Sequence, residues 1–324
     1  MPHAIRVHKY GGPEVMQWEE VQVGAPGAGE ALIRQTAVGV NFVDVYNRTG
    51  LYQAALPTGL GAEGAGVVEA VGSGVDYLKK GDRVAYGNSP LGAYAEARLI
   101  PADRLVKLPD GIDDKRAAAM MLKGLTAQYL LRQTYKVKKG DTILVQAAAG
   151  GVGLIACQWA KHLGATVIGT VGSDDKAKLA KANGCDHPIV YTREDFVKRV
   201  AELTDGKKLP VVYDGVGKDT FMKSLDCLAP LGLCVLFGNA SGAVDNFNTG
   251  ILAAKGSLYL TRPTLNTYGA KRENMVQMAN ELFDVVQKGA VKIEVHQSYP
   301  LREAAHAHRD LESRKTTGSS VLTV

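Results

Sequence analysis

The sequence predicts an α/β protein of two domains: a doubly wound parallel-sheet domain set into a smaller β-rich, barrel-like domain built from both chain ends. Three observations carry this reading. At 324 residues the chain is long for a single hydrophobic core. Its first third holds short alternating runs cornered by glycine and proline, the texture of a small barrel. From Thr142 onward apolar strands alternate with amphipathic helices, a pattern that needs a parallel sheet covered on both faces.

In chain order, Ala31–Gln35, Gly64–Val71, Arg83–Ala85 and Tyr94–Ile100 read as strands. Gly11-Gly12-Pro13, Ala25-Pro26-Gly27 and Lys80-Gly81-Asp82 supply turns between such runs. Arg116–Tyr135 carries Ala, Met and Leu at helical spacing. Thr142–Gln146 is an apolar strand, followed by a glycine cluster and a helix over Val152–Leu163. A second strand, Thr166–Val171, leads into a helix over Asp174–Asn183. The alternation continues through His187–Val190, Arg193–Thr204, Val211–Tyr213, Thr220–Leu228, Leu233–Phe237 and Leu258–Thr261. Beyond Pro263 come one long helix, Arg272–Gln287, and a strand-like Ser319–Val324. The expected division is therefore residues 1–125 with 265–324 for the β-rich domain, and 126–264 for the doubly wound one.

Composition excludes several classes. With 46% hydrophobic and 22% charged residues the chain is ordinary for a globular protein. A formal net charge of +5 is a mild field suited to an anionic ligand. Lys and Arg are spread without a run longer than a pair or triplet, which reads as a solvated surface and argues against a nucleic-acid module. Met1–Tyr10 lacks the apolar core of a signal peptide, and no apolar run approaches a membrane span, so no membrane partner is expected. Cys157, Cys185, Cys227 and Cys234 form no C-x-x-C pair and have no His partners at metal spacing. They read as small buried hydrophobes in a reducing compartment, hence a cytoplasmic protein.

The most informative segment is Leu144-Val145-Gln146-Ala147-Ala148-Ala149-Gly150-Gly151-Val152-Gly153. It follows a buried strand and opens a helix, the context in which small residues let the backbone approach a pyrophosphate and the helix N-terminus meets the anion. Ala148 stands where the first glycine of G-x-G-x-x-G belongs, and a purely structural turn is the competing reading. An NAD site places an acid about 20 residues past this loop, on the ribose 2′-hydroxyl. Here the second strand ends in Val171-Gly172-Ser173, with Lys176 a turn later and Tyr191 after the third strand, a set suited to a 2′-phosphate. Asp174 and Asp175 leave NAD open as the alternative, although carboxylates in a helical first turn behind a Ser173 N-cap have an ordinary structural use. NADPH is the expected cofactor. No metal is expected: a catalytic zinc needs three protein ligands, the β-rich domain holds no cysteine, and the seven histidines show no metal spacing.

On these residues the sequence resembles the quinone oxidoreductases, the zeta-crystallin-like, zinc-independent branch of the medium-chain dehydrogenase/reductase superfamily. The match around the cofactor loop comprises Gly140-Asp141, Leu144, Ala148-Ala149, Gly150-Gly151, Gly153, Gln158 and Lys161. Asn41-Phe42-Val43-Asp44-Val45-Tyr46-Asn47-Arg48-Thr49-Gly50-Leu51-Tyr52 and Gly61-Ala62-Glu63-Gly64-Ala65-Gly66-Val67-Val68 match as well. Zinc-dependent relatives carry a cysteine at the position of Asn41 and a histidine at that of Ala62. The resemblance implies a GroES-like catalytic domain, a Rossmann domain and a homodimer. It implies further that Asn41, Phe42 and Tyr46 lie by the nicotinamide and its ribose, and that Tyr52 lines the substrate mouth. Thr126 and Tyr129 would border the cofactor, and Gly150, Gly151, Val152 and Gly153 would hold the pyrophosphate. Gly172, Ser173, Lys176, Tyr191 and Arg314 would surround the 2′-phosphate. Phe237, Gly238, Asn239 and Ser241 would close over the nicotinamide.

The implied activity is NADPH-dependent reduction of a small-molecule quinone, with Asn41, Tyr46 and Tyr52 as hydrogen-bond partners of a quinone oxygen. Each of the three also has a reading as a packed core residue. Such a reaction asks the protein chiefly to position two flat rings, since the cofactor carries the chemistry. The family is associated with one-electron delivery. Two other readings stay open: an NADPH-dependent enone or alkenal reductase, and a non-catalytic NADPH-binding or RNA-binding crystallin-like protein.

Overall fold

A computed structural model describes residues 1–88 and 90–324. In chain order the strands and helices begin with β1 (His3–Val7), β2 (Met16–Glu20), β3 (Glu30–Val40), α1 (Phe42–Thr49), β4 (Thr58–Gly59), β5 (Glu63–Val71), β6 (Arg83–Gly87), β7 (Ala97–Pro101), β8 (Val106–Lys107) and α2 (Asp114–Tyr129). They continue with β9 (Thr142–Val145), α3 (Gly151–His162), β10 (Thr166–Val171), α4 (Asp174–Ala182), β11 (His187–Val190), α5 (Phe196–Leu203), β12 (Leu209–Asp214), α6 (Phe221–Asp226), β13 (Leu228–Leu236), α7 (Gly250–Ala254), β14 (Tyr259–Thr261) and α8 (Leu265–Tyr268). The chain ends with α9 (Arg272–Gln287), β15 (Val295–Pro300), α10 (Ala304–Glu312) and β16 (Ser319–Thr323).

These elements form two compact units: Met1–Leu125 with Gly269–Gln287 and Ile293–Val324, and Thr126–Tyr268 with Lys288–Lys292. The first unit is β-rich and GroES-like. Its seven-stranded sheet runs β15-β16-β3-β5-β6-β8 with β7 also on β3, and a three-stranded sheet runs β2-β1-β4. β16 pairs antiparallel with β3, Ser320 opposite Val40 and Thr323 opposite Ala37, so the last strand completes a sheet begun near the first. The strands alternate because one face is buried: Ile5, Val7, Ile33, Val38, Leu60, Tyr94, Ile100 and Leu322 share one core.

The second unit is a Rossmann-type layer structure. Its six strands are all parallel in the order β11-β10-β9-β12-β13-β14. β9 reads Thr-Ile-Leu-Val with Ile143, Leu144 and Val145 all buried, as a strand covered on both faces must be. Leu144, Ile168, Ile189, Val212, Phe221 and Leu236 build the core, where truncating one leucine or isoleucine to alanine costs about 2–5 kcal/mol. Among the described residues no helix is long and apolar enough to cross a membrane.

Several boundaries differ from the sequence expectation, each for a local reason. The helix expected over Arg193–Thr204 starts at Phe196, because the Asp195 carboxylate caps it by accepting from the Val197 N–H at 2.9 Å. The helix expected to reach Tyr135 leaves α geometry after Tyr129 and closes with a wider π-type turn over Leu130–Thr134. The strand expected from Tyr94 begins at Ala97, since the Tyr94 N–H turns to the Leu60 carbonyl at 2.9 Å.

Candidate active site

In the second unit β9 delivers the chain to a turn in which Ala147 adopts the left-handed conformation (φ 56°). α3 follows, with Gly150 as its extended N-cap (φ −83°, ψ 174°), no side-chain cap and no acid in the first turn. First-turn N–H groups have no carbonyl partner within a helix. Gly151, Val152 and Gly153 therefore offer amides and the positive end of the helix dipole to an anion. The glycines differ in what they protect. A Cβ on Gly153 would lie 2.4 Å from the Ala147 carbonyl oxygen and 2.7 Å from that of Ala148. One on Gly150 would meet only the Ala147 oxygen, at 3.2 Å. Gly153 serves the fold; Gly150 keeps the approach from outside open. A cradle of this kind fits a dinucleotide pyrophosphate.

The end of β10 lies beside this turn, the Ala148 N–H donating to the Thr170 carbonyl at 3.0 Å. A Cβ on Gly172 would lie 3.0 Å from the Tyr191 hydroxyl, so backbone and phenol sit side by side. Ser173 caps α4, its Oγ accepting the Lys176 N–H at 3.4 Å, and Lys176 is half-buried on the first turn. Both oxygens of Asp174 accept from the Arg193 guanidinium, at 2.8 and 2.5 Å, and this contact holds the carboxyl below its ordinary range. Asp175 pairs with Lys178 at 3.2 Å. The two acids that left an NAD ribose open in the sequence are thus engaged by cations, one of which, Arg193, sequence reasoning missed. The residue types Ser173, Lys176 and Tyr191 at this strand end fit a 2′-phosphate.

Beyond β13 the loop carrying Phe237, Gly238, Asn239 and Ser241 is fastened to the loop after β12. Ser241 Oγ donates to the Val216 carbonyl at 2.9 Å and accepts from the Asp219 N–H at 3.0 Å. The Asn239 amide donates to the Gly238 carbonyl at 3.0 Å and accepts from Arg262 at 3.3 Å. The Phe237 ring would lie 2.7 Å from a Cβ on Gly215. At the start of the same unit, Thr126 and Tyr129 are both buried. Tyr129 stacks on Tyr268 at 4.6 Å and 8°, and burial pushes its phenol well up.

In the first unit Asn41, Phe42, Tyr46 and Tyr52 lie together. Asn41 is the N-cap of α1, and Gly50 ends that helix in the left-handed region (φ 83°). The Tyr46 ring lies 6.3 Å from that of Phe42 and meets the Tyr52 ring edge-on at 5.3 Å. Tyr46 is buried and Tyr52 exposed, so the pair runs from interior to surface. Asn41 Nδ2 donates to Glu63 Oε2 at 2.8 Å, the oxygen that also takes the Lys123 ammonium at 2.6 Å. The Leu122 N–H binds the other Glu63 oxygen at 2.8 Å. This buried ion pair went unread in the sequence, although Glu63 and Lys123 stand as charges inside otherwise apolar or small-residue segments.

Below it, Asp44 accepts the Asn41 N–H at 2.8 Å and the Tyr94 hydroxyl at 3.0 Å. Burial pushes its carboxyl up to about 7. Tyr94 contacts His308 Nε2 at 3.0 Å, while His308 Nδ1 faces Arg48 at 3.0 Å, and Arg48 is bidentate to Glu312 at 2.9 and 2.7 Å. Arg48 has no acceptor role to offer, so Nδ1 accepts and Nε2 carries the proton. Burial, aided by Arg48, holds His308 down to about 3. Arg314, the remaining expected residue, follows α10 in a left-handed conformation (φ 59°) and belongs to the first unit. Among the described residues no group of three or more His, Cys, Asp or Glu side chains is arranged to hold a metal.

Residues 151–282 match the family described as zinc-binding dehydrogenase, and residues 27–110 match the alcohol dehydrogenase GroES-like domain. The chain is 57% identical to a quinone oxidoreductase of Pseudomonas aeruginosa, over 99% of both chains. It is 49% identical to a 2-haloacrylate reductase of a Burkholderia species, again over 99% of both. The crystal structure of Escherichia coli quinone oxidoreductase complexed with NADPH superposes with a TM-score of 0.98 at 52% identity, covering 99% of this chain and 100% of that one.

Proposed function

The chain belongs to the quinone oxidoreductase family of the medium-chain dehydrogenase/reductase superfamily, and we infer that it catalyses zinc-independent, NADPH-dependent reduction of quinones. The observation that carries the cofactor half is the uncapped, acid-free N-terminus of α3, beside a strand end whose two acids are held by Arg193 and Lys178. We assign the second unit to NADPH and the first to catalysis. Gly150 to Gly153 would bind the pyrophosphate. Gly172, Ser173, Lys176, Tyr191 and Arg314 would bind the 2′-phosphate. Phe42, Thr126, Tyr129, Phe237, Gly238, Asn239 and Ser241 would border the nicotinamide half.

When bound, NADPH would supply the reducing equivalents. Asn41, Tyr46 and Tyr52 would orient the quinone: a phenol or amide N–H donates to a quinone oxygen and stabilises the charge that develops there without itself ionising. The bond from Asn41 to Glu63 supports this role, because one amide hydrogen is fixed and the other is thereby aimed. Aromatic side chains at Phe42, Tyr46 and Tyr52 suit a flat substrate.

The 49% identity to a 2-haloacrylate reductase supports a second reading, hydride delivery to an activated C=C bond of an enone or related acid. Steady-state NADPH oxidation with 1,4-naphthoquinone against an α,β-unsaturated ketone separates the two. Faster turnover of the quinone is expected; preference for the enone would put the second reading first, and turnover of neither would remove both.

We further propose a homodimer joined through β14. It is an edge of the parallel sheet and leaves Tyr259 61% exposed, and Leu231, within its partner strand β13, is 64% exposed. The four buried free thiols suit a reducing, cytoplasmic setting.

A further inference from the structure

Four buried polar residues in the second unit belong to no part of the site described so far: Gln146, Thr170, Asp214 and Ser224, each at most 2% exposed. They are joined in one line. The Ala147 N–H donates to Thr170 Oγ at 3.3 Å, Thr170 Oγ donates to Gln146 Oε1 at 2.5 Å, Gln146 Nε2 donates to Ser224 Oγ at 3.0 Å, and Ser224 Oγ donates to Asp214 Oδ2 at 2.7 Å.

The direction of this line is forced. A hydroxyl has one hydrogen, and that of Ser224 goes to the carboxylate, so its oxygen must accept from Gln146. That choice turns the amide so that its oxygen faces Thr170. Thr170 spends its own hydrogen there and keeps a lone pair for Ala147. Each bond polarises the next, and all run toward one negative charge. At the other end of the line Asp214 Oδ1 accepts the Val216 and Gly217 N–H groups at 2.9 and 3.0 Å, and the Thr220 hydroxyl lies 2.8 Å from each carboxylate oxygen, sharing its one hydrogen with the carboxylate. The loop so fixed carries its neighbour with it: Ser241 N–H binds the Val216 carbonyl at 2.8 Å.

We infer that Asp214, acting through Ser224, Gln146 and Thr170, is a positioning residue for the cofactor: it holds the left-handed phosphate turn at Ala147 and the loop around Gly238 in one register. The inference rests on the assignment of pyrophosphate to the α3 N-terminus and of nicotinamide to the Gly238 loop. The two loops leave the carboxyl ends of β9 and β13, the parallel strands on either side of β12, the end at which ligands of such sheets bind. A hub that fixes both would fix the distance between the two halves of a dinucleotide.

The test uses Thr170→Val, which keeps shape and removes only the hydroxyl, with Thr170→Ser as the rescue. Calorimetric Kd values are measured for NADPH and for adenosine 2′-monophosphate, which reaches the Ser173, Lys176 and Tyr191 cluster but carries no pyrophosphate. The expected result is a loss of about tenfold in NADPH affinity, the scale of one lost hydrogen bond, with the monophosphate unchanged and Ser restoring NADPH to within about twofold. Unchanged NADPH affinity, or equal losses for both ligands, would overturn the inference and leave the line a packing device. Ser224→Ala cuts the line between Gln146 and Asp214 and should give the same selective loss if the valine variant does not accumulate. Absence of NADPH binding in the unaltered chain would instead sink the cofactor assignment itself.

Discussion

The proposed choice between the two nucleotides turns on Lys176 and the acids beside it. In the sequence Asp174 and Asp175 competed with Lys176 for the ribose; in the structure each acid has a cation, and the bidentate Arg193 contact is the reason Asp174 is occupied. Nothing local in the sequence brings a residue 19 positions later back onto that helix cap, which is why Arg193 was not legible while Ser173 as N-cap was. Lys176→Ala should weaken NADPH by about ten- to a hundredfold, the worth of a charge-assisted hydrogen bond to phosphate, and leave NADH nearly unchanged. Equal losses in a paired titration would contradict the 2′-phosphate assignment. The same limit hid Glu63 and Lys123: the motif around Asn41 was readable, but the buried pair that aims its amide is made by residues 22 and 60 positions from their partners.

At the scale of elements, the parallel sheet was readable because strands buried on both faces are predominantly apolar, as Thr142–Val145 and Thr166–Val171 are. The first unit was harder. β1 and β2 carry charges on their exposed faces, and β15 has no fully buried residue, so their short alternation does not rise above that of a loop. The phosphate turn yields a contrast between two glycines. Gly150→Val should fold with a melting temperature near that of the unaltered chain, since only one contact at 3.2 Å crowds the new Cβ, yet it should lose NADPH because the branch fills the approach to the amides. Gly153→Ala should do the reverse damage first, lowering stability because its Cβ meets two backbone oxygens below 3.0 Å. Thermal melts with NADPH titrations on both variants check the pair; retained NADPH affinity in Gly150→Val would mean the anion lies elsewhere.

At the scale of the molecule, two properties follow from how the units are built. In the first unit His308 is buried neutral, its folded value held at about 3 against an ordinary 6.5. Its contribution to stability is therefore full above about pH 6.5 and is lost as pH falls from there toward 3. Asp44, raised to about 7, acts in the opposite sense: its contribution is full below its ordinary 3.8 and is lost as pH rises through 7. The two slopes oppose each other in mildly acidic solution, so the difference between the unaltered chain and His308→Gln isolates the histidine. Denaturant melts should show that difference shrinking by about 1.4 kcal/mol for each pH unit between roughly 6 and 4. A difference independent of pH would show that the imidazole is not held neutral. In the second unit, the proposed dimer edge predicts that Tyr259→Asp shifts the mass measured by light scattering from two chains toward one, whereas a dimer unchanged by it would place the interface elsewhere.

Every reading of function here depends on a phosphorylated dinucleotide seated on the first turn of α3. The direct measurement is a calorimetric titration of the unaltered protein with NADPH and, in parallel, with NADH. Saturable 1:1 binding of NADPH, at least about tenfold tighter than NADH, is the predicted result. No heat from NADPH up to millimolar concentration, or a preference for NADH, would contradict the account.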